Sequence, residues 1–209
     1  MVDVRKIRLI LELRELGISN NKVLSAIEKI PRENFIPSAF RNQSYENIAL
    51  PIGEEQTISQ PLIVALMTDA LEIDKSNKVL EIGTGTGYQT SILSLLSRRV
   101  YTIERIKKLL INAEINFNKL KLSNIVTKHA DGNLGWKEQI PFDRIIFTAA
   151  TKNISKLMLD HIKENSIIVA PIISDSIQVL TKFVKKNNKL HEKKISDVLF
   201  VPNISGVIN

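Results

Sequence analysis

The 209-residue sequence predicts an α/β fold. The expected form is Rossmann-like: a mostly parallel, doubly wound sheet with an antiparallel C-terminal hairpin and an N-terminal helical extension. Three observations predict it. From residue 78 onward, short apolar runs alternate with helical stretches, the pattern of a parallel sheet covered on both faces. Three of the eight glycines crowd into EIGTGTGYQT, at a strand-to-helix junction. The tail, SIQVLTKFVKKNNKLHEKKISDVLFVP, reads as strand, polar turn, strand, a hairpin that closes a sheet edge.

Taken in order, residues 3 to 16 carry apolar side chains at 4, 7, 10, 11 and 13, a helical stripe with Asp3 to cap its start and Gly17 its end. A second helix spans about 20 to 29 and stops before Pro31. Residues 31 to 58 hold Pro31, Pro37, Pro51 and Gly53 without sustained period, yet include Phe35, Ile36, Phe40, Tyr45, Ile48 and Leu50. Such a segment is a long packed loop that folds over something. QPLIVALMTDALE, 60 to 72, is a helix with Pro61 in its first turn. Strands then fall at 78–83, 99–104, 124–131, 142–150 and 166–172, with helices at 88–97, 105–120 and 153–163. The expected organisation is a helical and loop region, 1–74, covering the active site, and a donor-binding Rossmann-like unit, 75–209.

Composition narrows the function. There is no cysteine, hence no disulfide, thiolate metal site or cysteine nucleophile, and a reducing cytoplasm is the natural compartment. The N-terminus lacks the pattern of a signal peptide, and no apolar run is long enough to span a membrane. The net charge of +7 is diffuse apart from KFVKKNNKLHEKK, 182 to 194. That cluster contains no arginine and reads as a solvated edge strand and turn, so no stable nucleic-acid partner is expected. His129, His161 and His191 are scattered, and no metal site is expected.

The glycines are spaced G-x-G-x-G, at Gly83, Gly85 and Gly87. Tyr88 stands where a dinucleotide fingerprint wants glycine or alanine, and no Gly-Lys-Ser/Thr triplet offers a phosphate loop. Glu81 adds negative charge beside the glycines, which favours a cationic ligand. Glu104 ends the second strand, placed to accept from two ribose hydroxyls. Asp131 ends the third and precedes Gly132, placed for an adenine amino group. S-adenosyl-L-methionine satisfies these constraints, with S-adenosyl-L-homocysteine as product, and the class I methyltransferase fold is the expectation. An RNA or small-molecule methyltransferase, or an idle binding module on the same fold, stays open at this point. Ser59, directly before the helix that carries Pro61 in its first turn, stands where an N-cap would, a role worth about 1 kcal/mol.

Several segments, in order along the chain, resemble the protein-L-isoaspartate O-methyltransferase family: PRENFIP (31–37), LPIGEEQTISQP (50–61), VLEIGTGTGYQTSILSLL (79–96), YTIER (101–105), ADGNLGW (130–136), PFDRIIFTAA (141–150) and VLFVP (198–202). The resemblance implies methyl transfer to the free α-carboxylate of L-isoaspartyl residues in aged proteins and peptides. It also implies that Ser59 is the catalytic residue, orienting that carboxylate, with Gln56, Thr57 and Ile58 lining the substrate site. Glu81, Gly83, Thr84, Gly85, Gly87, Glu104, Arg105, Asp131 and Gly132 are then the donor-binding set. Glu55 stands where the family usually carries glycine, Ala130 replaces a glycine, Glu164–Asn165 replaces a Gly-Gly turn, and Leu199 replaces a frequent arginine.

Overall fold

A computed structural model describes residues 3–175, 177–187 and 189–209. The chain opens with helix α1 (Val4–Glu15), capped by the Asp3 carboxylate on the Arg5 N–H, and closes that turn at Gly17 with φ 97°. The face that α1 buries is Leu9 and Leu13, with Ile10 half-buried; Val4, Ile7 and Leu11 of the expected stripe face outward. Residues 9 and 13, one turn apart, seat on helix α2 (Asn21–Lys29), which turns Val4, Ile7 and Leu11 to the far side.

Residues 31 to 58 are less irregular than expected. Two 3-10 turns (Arg32–Phe35 and Ser38–Gln43) lead into a small hairpin of β1 (Leu50–Gly53) and β2 (Gln56–Ile58). Helix α3 (Pro61–Ala70) follows. Seven strands then form the central sheet: β3 (Lys78–Ile82), β4 (Arg99–Glu104), β5 (Ile125–His129), β6 (Phe142–Phe147), β7 (Ile162–Ser174), β8 (Ile177–Lys186) and β9 (Lys189–Val198). Their order is β5-β4-β3-β6-β7-β8-β9, parallel from β5 to β7 and antiparallel thereafter. The C-terminal hairpin therefore extends the sheet as a meander. Of its turn, Asn187 is described and Asn188 lies outside the described residues.

The crossovers explain where the sheet is thick. Helices α4 (Tyr88–Leu96) and α5 (Lys107–Lys119) are full length. The helix expected over 153–163 shrinks to α6 (Lys156–Asp160), because β7 begins at Ile162, opposite Phe142. Asn165 interrupts that early pairing in the left-handed region, φ 61°, where asparagine is tolerated. One face of the sheet is sealed by α3 and α4, through Met67, Leu71 and Leu93 against Val79, Val100, Ile146 and Val169, and α1 and α2 pack outside these helices through Leu13, Leu24, Ile27 and Ile92. The other is closed by Trp136 and Met158, with Trp136 edge-on to Tyr101 at 5.4 Å. The lysine cluster lies on β8 and the edge strand β9, where Lys182 faces Lys193 and Lys186 faces Lys189. Charge along an edge strand opposes sheet-to-sheet association.

Candidate active site

A crevice opens at the carboxyl ends of β3, β4 and β6, floored by the glycine loop. Gly83 is required there twice over. Its φ is 98°, and a Cβ at this position would lie 2.3 Å from Thr148 Oγ1. That hydroxyl donates 2.9 Å to the Ile82 carbonyl and ties β6 to the loop. The Gly85 N–H donates 2.8 Å to Glu104 Oε2, and the Ile106 N–H donates 2.9 Å to Glu104 Oε1. Burial raises the Glu104 pKa, and these two backbone donors oppose the rise. Each carboxylate oxygen, with one backbone donor, has capacity for another, which suits two neighbouring hydroxyls.

Among the expected donor-binding residues, Gly83, Thr84, Gly85, Glu104, Arg105 and Gly132 line the crevice. Three do not. Gly87 is the N-cap of α4, at φ 94°, packed so closely on the Phe117 ring that a Cβ would sit 2.4 Å from it. Asp131 turns its carboxylate to the Asn133 N–H (2.9 Å) and the Gly206 N–H (2.7 Å), donors that hold its pKa below the usual range against a raising effect of burial. Glu81 lies beneath the loop rather than in the crevice. It shares the face of β3 that α4 covers, accepts from Thr90 and Thr102, and burial pushes its carboxyl up to about 8. The carboxylate that lines the crevice beside the glycines is therefore that of Glu104.

The β1–β2 hairpin forms one wall, through Gln56, Thr57, Ile58 and Ser59. Its turn is Glu54–Glu55, at φ 51° and 56°, with Gly53 and Gln56 paired across it. A two-residue loop with both φ values positive is the type that favours Asn-Gly. Glu54 is held by an ion pair to Lys108 at 2.7 Å; Glu55 is exposed and strained. We expect Glu55→Gly to stabilise the protein by about 1 kcal/mol. In thermal denaturation that is a rise of about 2–4 °C for a chain of this size, and an unchanged or lower midpoint would show the turn is unstrained.

Ser59 is not the cap of α3. Gln60 occupies that position without a side-chain cap bond, and the helix start is capped from a distance: Asn47 Oδ1 accepts from the Leu62 N–H at 2.9 Å. Pro61 has no N–H, so of the first three helical residues only Ile63 keeps a donor unpaired among the described residues. The Ser59 carbonyl accepts from Arg32 at 3.1 Å, and its hydroxyl has no partner among the described residues. Ser59, Thr57, Thr148 and Val201 all border both the crevice and an adjoining groove of about 530 Å³. The serine thus stands at the doorway between two spaces.

Some of the lining was not foreseen. Thr148 and Ala149 come from the end of β6, and Thr86, whose hydroxyl donates 2.7 Å to the Phe35 carbonyl, ties the glycine loop to the N-terminal region. Val201 to Ile204 belong to a C-terminal strap. The strap is fastened by the Gly206 N–H to Asp131, by the Ile208 N–H to the Arg105 carbonyl at 2.7 Å, and by the Asn203 N–H to the Ala150 carbonyl at 2.8 Å. His129 Nε2 lies 3.0 Å from the Ile208 carbonyl and 3.1 Å from that of Arg105, so it is the donor to both. The VLFVP motif marked the strap's beginning; nothing in the apolar pattern marked its path.

Comparison with known proteins places this geometry. Residues 4–207 match the sequence model of the protein-L-isoaspartate(D-aspartate) O-methyltransferase (PCMT) family. The chain is 47% identical over 204 residues to the protein-L-isoaspartate O-methyltransferase of Maricaulis maris (strain MCS10), covering 98% of this chain and 96% of the relative. It is 50% identical over 190 residues to that of Dictyoglomus turgidum (strain DSM 6724 / Z-1310), covering 91% and 86%. A solved protein-L-isoaspartate O-methyltransferase superposes with a TM-score of 0.88 at 28% identity, over 97% of this chain and 67% of that one. The fold is also shared with a Plasmodium falciparum protein, solved as a putative protein-L-isoaspartate O-methyltransferase in complex with S-adenosyl-L-homocysteine. That match has a TM-score of 0.83 at 24% identity over 94% of this chain and 97% of that one.

Proposed function

This chain belongs to the protein-L-isoaspartate(D-aspartate) O-methyltransferase family, and from that premise we infer that it methylates the free α-carboxyl of L-isoaspartyl residues in damaged proteins and peptides. The methyl donor is S-adenosyl-L-methionine, which supplies an electrophilic methyl on a sulfonium. The residues present fit it. Glu104 offers two anchored oxygens for the ribose hydroxyls, and the glycine loop, followed by Tyr88 and lacking a lysine, suits a ligand without phosphate.

The observation that carries the reading is the uncommitted Ser59 hydroxyl at the junction of crevice and groove. The acceptor carboxyl has a solution pKa of about 3.3–3.7 and is ionised at neutral pH, so the chain needs no general base. Ser59 donates to one carboxylate oxygen and aims the other at the methyl group; Thr57 and Gln56 flank it. Orientation of this kind supplies up to about 7–11 kcal/mol in favourable cases. Attack joins an anion to a cation, so charge falls as the bond forms and exclusion of water favours it. The region 1–74 provides that cover over the unit 75–209, with the β1–β2 hairpin as its inner wall. The ester so formed collapses through a succinimide, which returns part of the product to normal aspartate.

Partners are proteins and peptides bearing the isoaspartyl linkage. Among the described residues no helix is long and apolar enough to cross a membrane, and no cluster of His, Asp and Glu could hold a metal ion. Labelled methyl transfer to two peptides that differ only in an isoaspartyl or aspartyl linkage tests the function. The expected result is a base-labile methyl ester on the isoaspartyl peptide alone. Equal labelling of both, or of neither, overturns it.

A further inference from the structure

Glu81 is buried completely and has no place in the mechanism above. Its Oε2 accepts from two hydroxyls, Thr90 on α4 and Thr102 on β4, the latter at 2.6 Å; its Oε1 has no partner among the described residues. Thr102 in turn touches Thr84 Oγ1 at 2.6 Å, and Thr84 lines the crevice. A chain of oxygens therefore runs from the buried acid, through one threonine, to the ligand-facing wall of the glycine loop. The titratable neighbour that bears on Glu81 is Glu104 at the end of β4, whose negative charge, like burial, opposes ionisation.

We propose that Glu81 is a positioning residue for the methyl donor: acting through Thr102, it sets which way the Thr84 hydroxyl points, and it releases its proton when the cationic donor enters. This inference rests on the donor assigned above. The hydroxyl count makes the relay directional, because each threonine has one hydrogen. When Glu81 is ionised, Thr102 spends its hydrogen on Oε2, Thr84 spends its own on Thr102, and the Thr84 lone pairs face the crevice as an acceptor. When Oε2 is protonated, it donates to Thr102, Thr102 turns its hydrogen to Thr84, and Thr84 presents a hydrogen to the crevice. A cation in the crevice favours the first arrangement and repels the second. The proton leaves along the same path, from Oε2 to Thr102, from Thr102 to Thr84, and from Thr84 to crevice water. No atom is left unbalanced. Loss of the sulfonium charge on methyl transfer reverses the bias and returns a proton to Glu81.

Titration calorimetry of the full chain at pH 7, in buffers of different ionisation enthalpy, tests this. S-adenosyl-L-methionine is expected to release a number of protons approaching one per molecule bound. S-adenosyl-L-homocysteine, which lacks the sulfonium charge, is expected to release clearly fewer. In Glu81→Gln the difference between the two ligands disappears, whereas a merely structural role for the carboxyl leaves proton stoichiometry unmoved. Infrared difference spectra of the wild-type protein need no variant: addition of the donor should remove the absorption of a protonated carboxyl. Donor binding without net proton release, equal release in Glu81→Gln, or a persisting carboxyl band overturns the relay while leaving the methyltransferase reading intact. Failure of the donor to bind overturns both.

Discussion

Replacing Arg32 by methionine should lower stability by about 3–5 kcal/mol, a loss of roughly 10 °C or more in melting temperature. Arg32 is fully buried and makes no ion pair among the described residues. Its guanidinium donates instead to backbone carbonyls: Ser44 at 2.8 Å and Glu46 at 3.4 Å from one nitrogen, Ile48 at 2.8 Å and Ser59 at 3.1 Å from the other. Burial lowers its pKa, and the Tyr88 ring, 5.9 Å away, supplies a negative face. Methionine fills similar space and leaves those carbonyls without their donor, at full uncompensated cost for the buried carbonyl of Ser44. Because one of them belongs to Ser59, turnover should fall with stability, by about 10²-fold if the serine shifts by an ångström. Lysine at this position should recover only part of either loss, since a compact ammonium cannot span sites set out for a planar fork. A melting temperature within a degree or two of wild type in Arg32→Met would show that the loop from 44 to 59 is held by something else.

Ser59→Ala should behave in the opposite way, leaving the melting curve unchanged and lowering kcat/KM by about 10- to 10²-fold. The first half follows from the free hydroxyl: a side chain without a partner contributes little to folding, within about 0.5 kcal/mol. The second half is the worth of one hydrogen bond to a charged acceptor, about 1.5–3 kcal/mol. Asn47→Ala is the matching control. It removes the actual cap of α3, together with a bond to Glu12 at 3.0 Å, and should cost about 1 kcal/mol of stability. Stability loss in Ser59→Ala with turnover intact would return the serine to a purely structural role.

The sheet was legible because its strands are short apolar runs and its crossovers are helical in period, signals carried by neighbouring residues. The glycine loop was legible for the same reason. Features built from distant residues were not. The cap of α3 comes from fifteen positions upstream, and no local pattern connects Asn47 to Leu62. The β1–β2 hairpin lacked its usual turn sequence, because Glu54–Glu55 adopts positive φ without glycine or asparagine. The start of β7 was hidden by a lead-in, KENS, that carries no alternation. Glu81 is a different case. Period-two geometry puts residue 81 on the face of Val79, which is buried beneath α4, so the strand itself held the information that this carboxylate faces no solvent. Its charge suggested a place in the crevice, whereas its face puts it beneath the glycine loop.

The strap from Val201 to Ile208 lines the crevice through Val201 to Ile204, and its fastenings are backbone groups taken up by Asp131, Arg105 and Ala150. It adds little to the hydrophobic core, since Ile204, Val207 and Ile208 are half exposed. Carboxypeptidase trimming past Asn203 should therefore yield a protein that still folds and purifies normally while letting go of its small-molecule ligand.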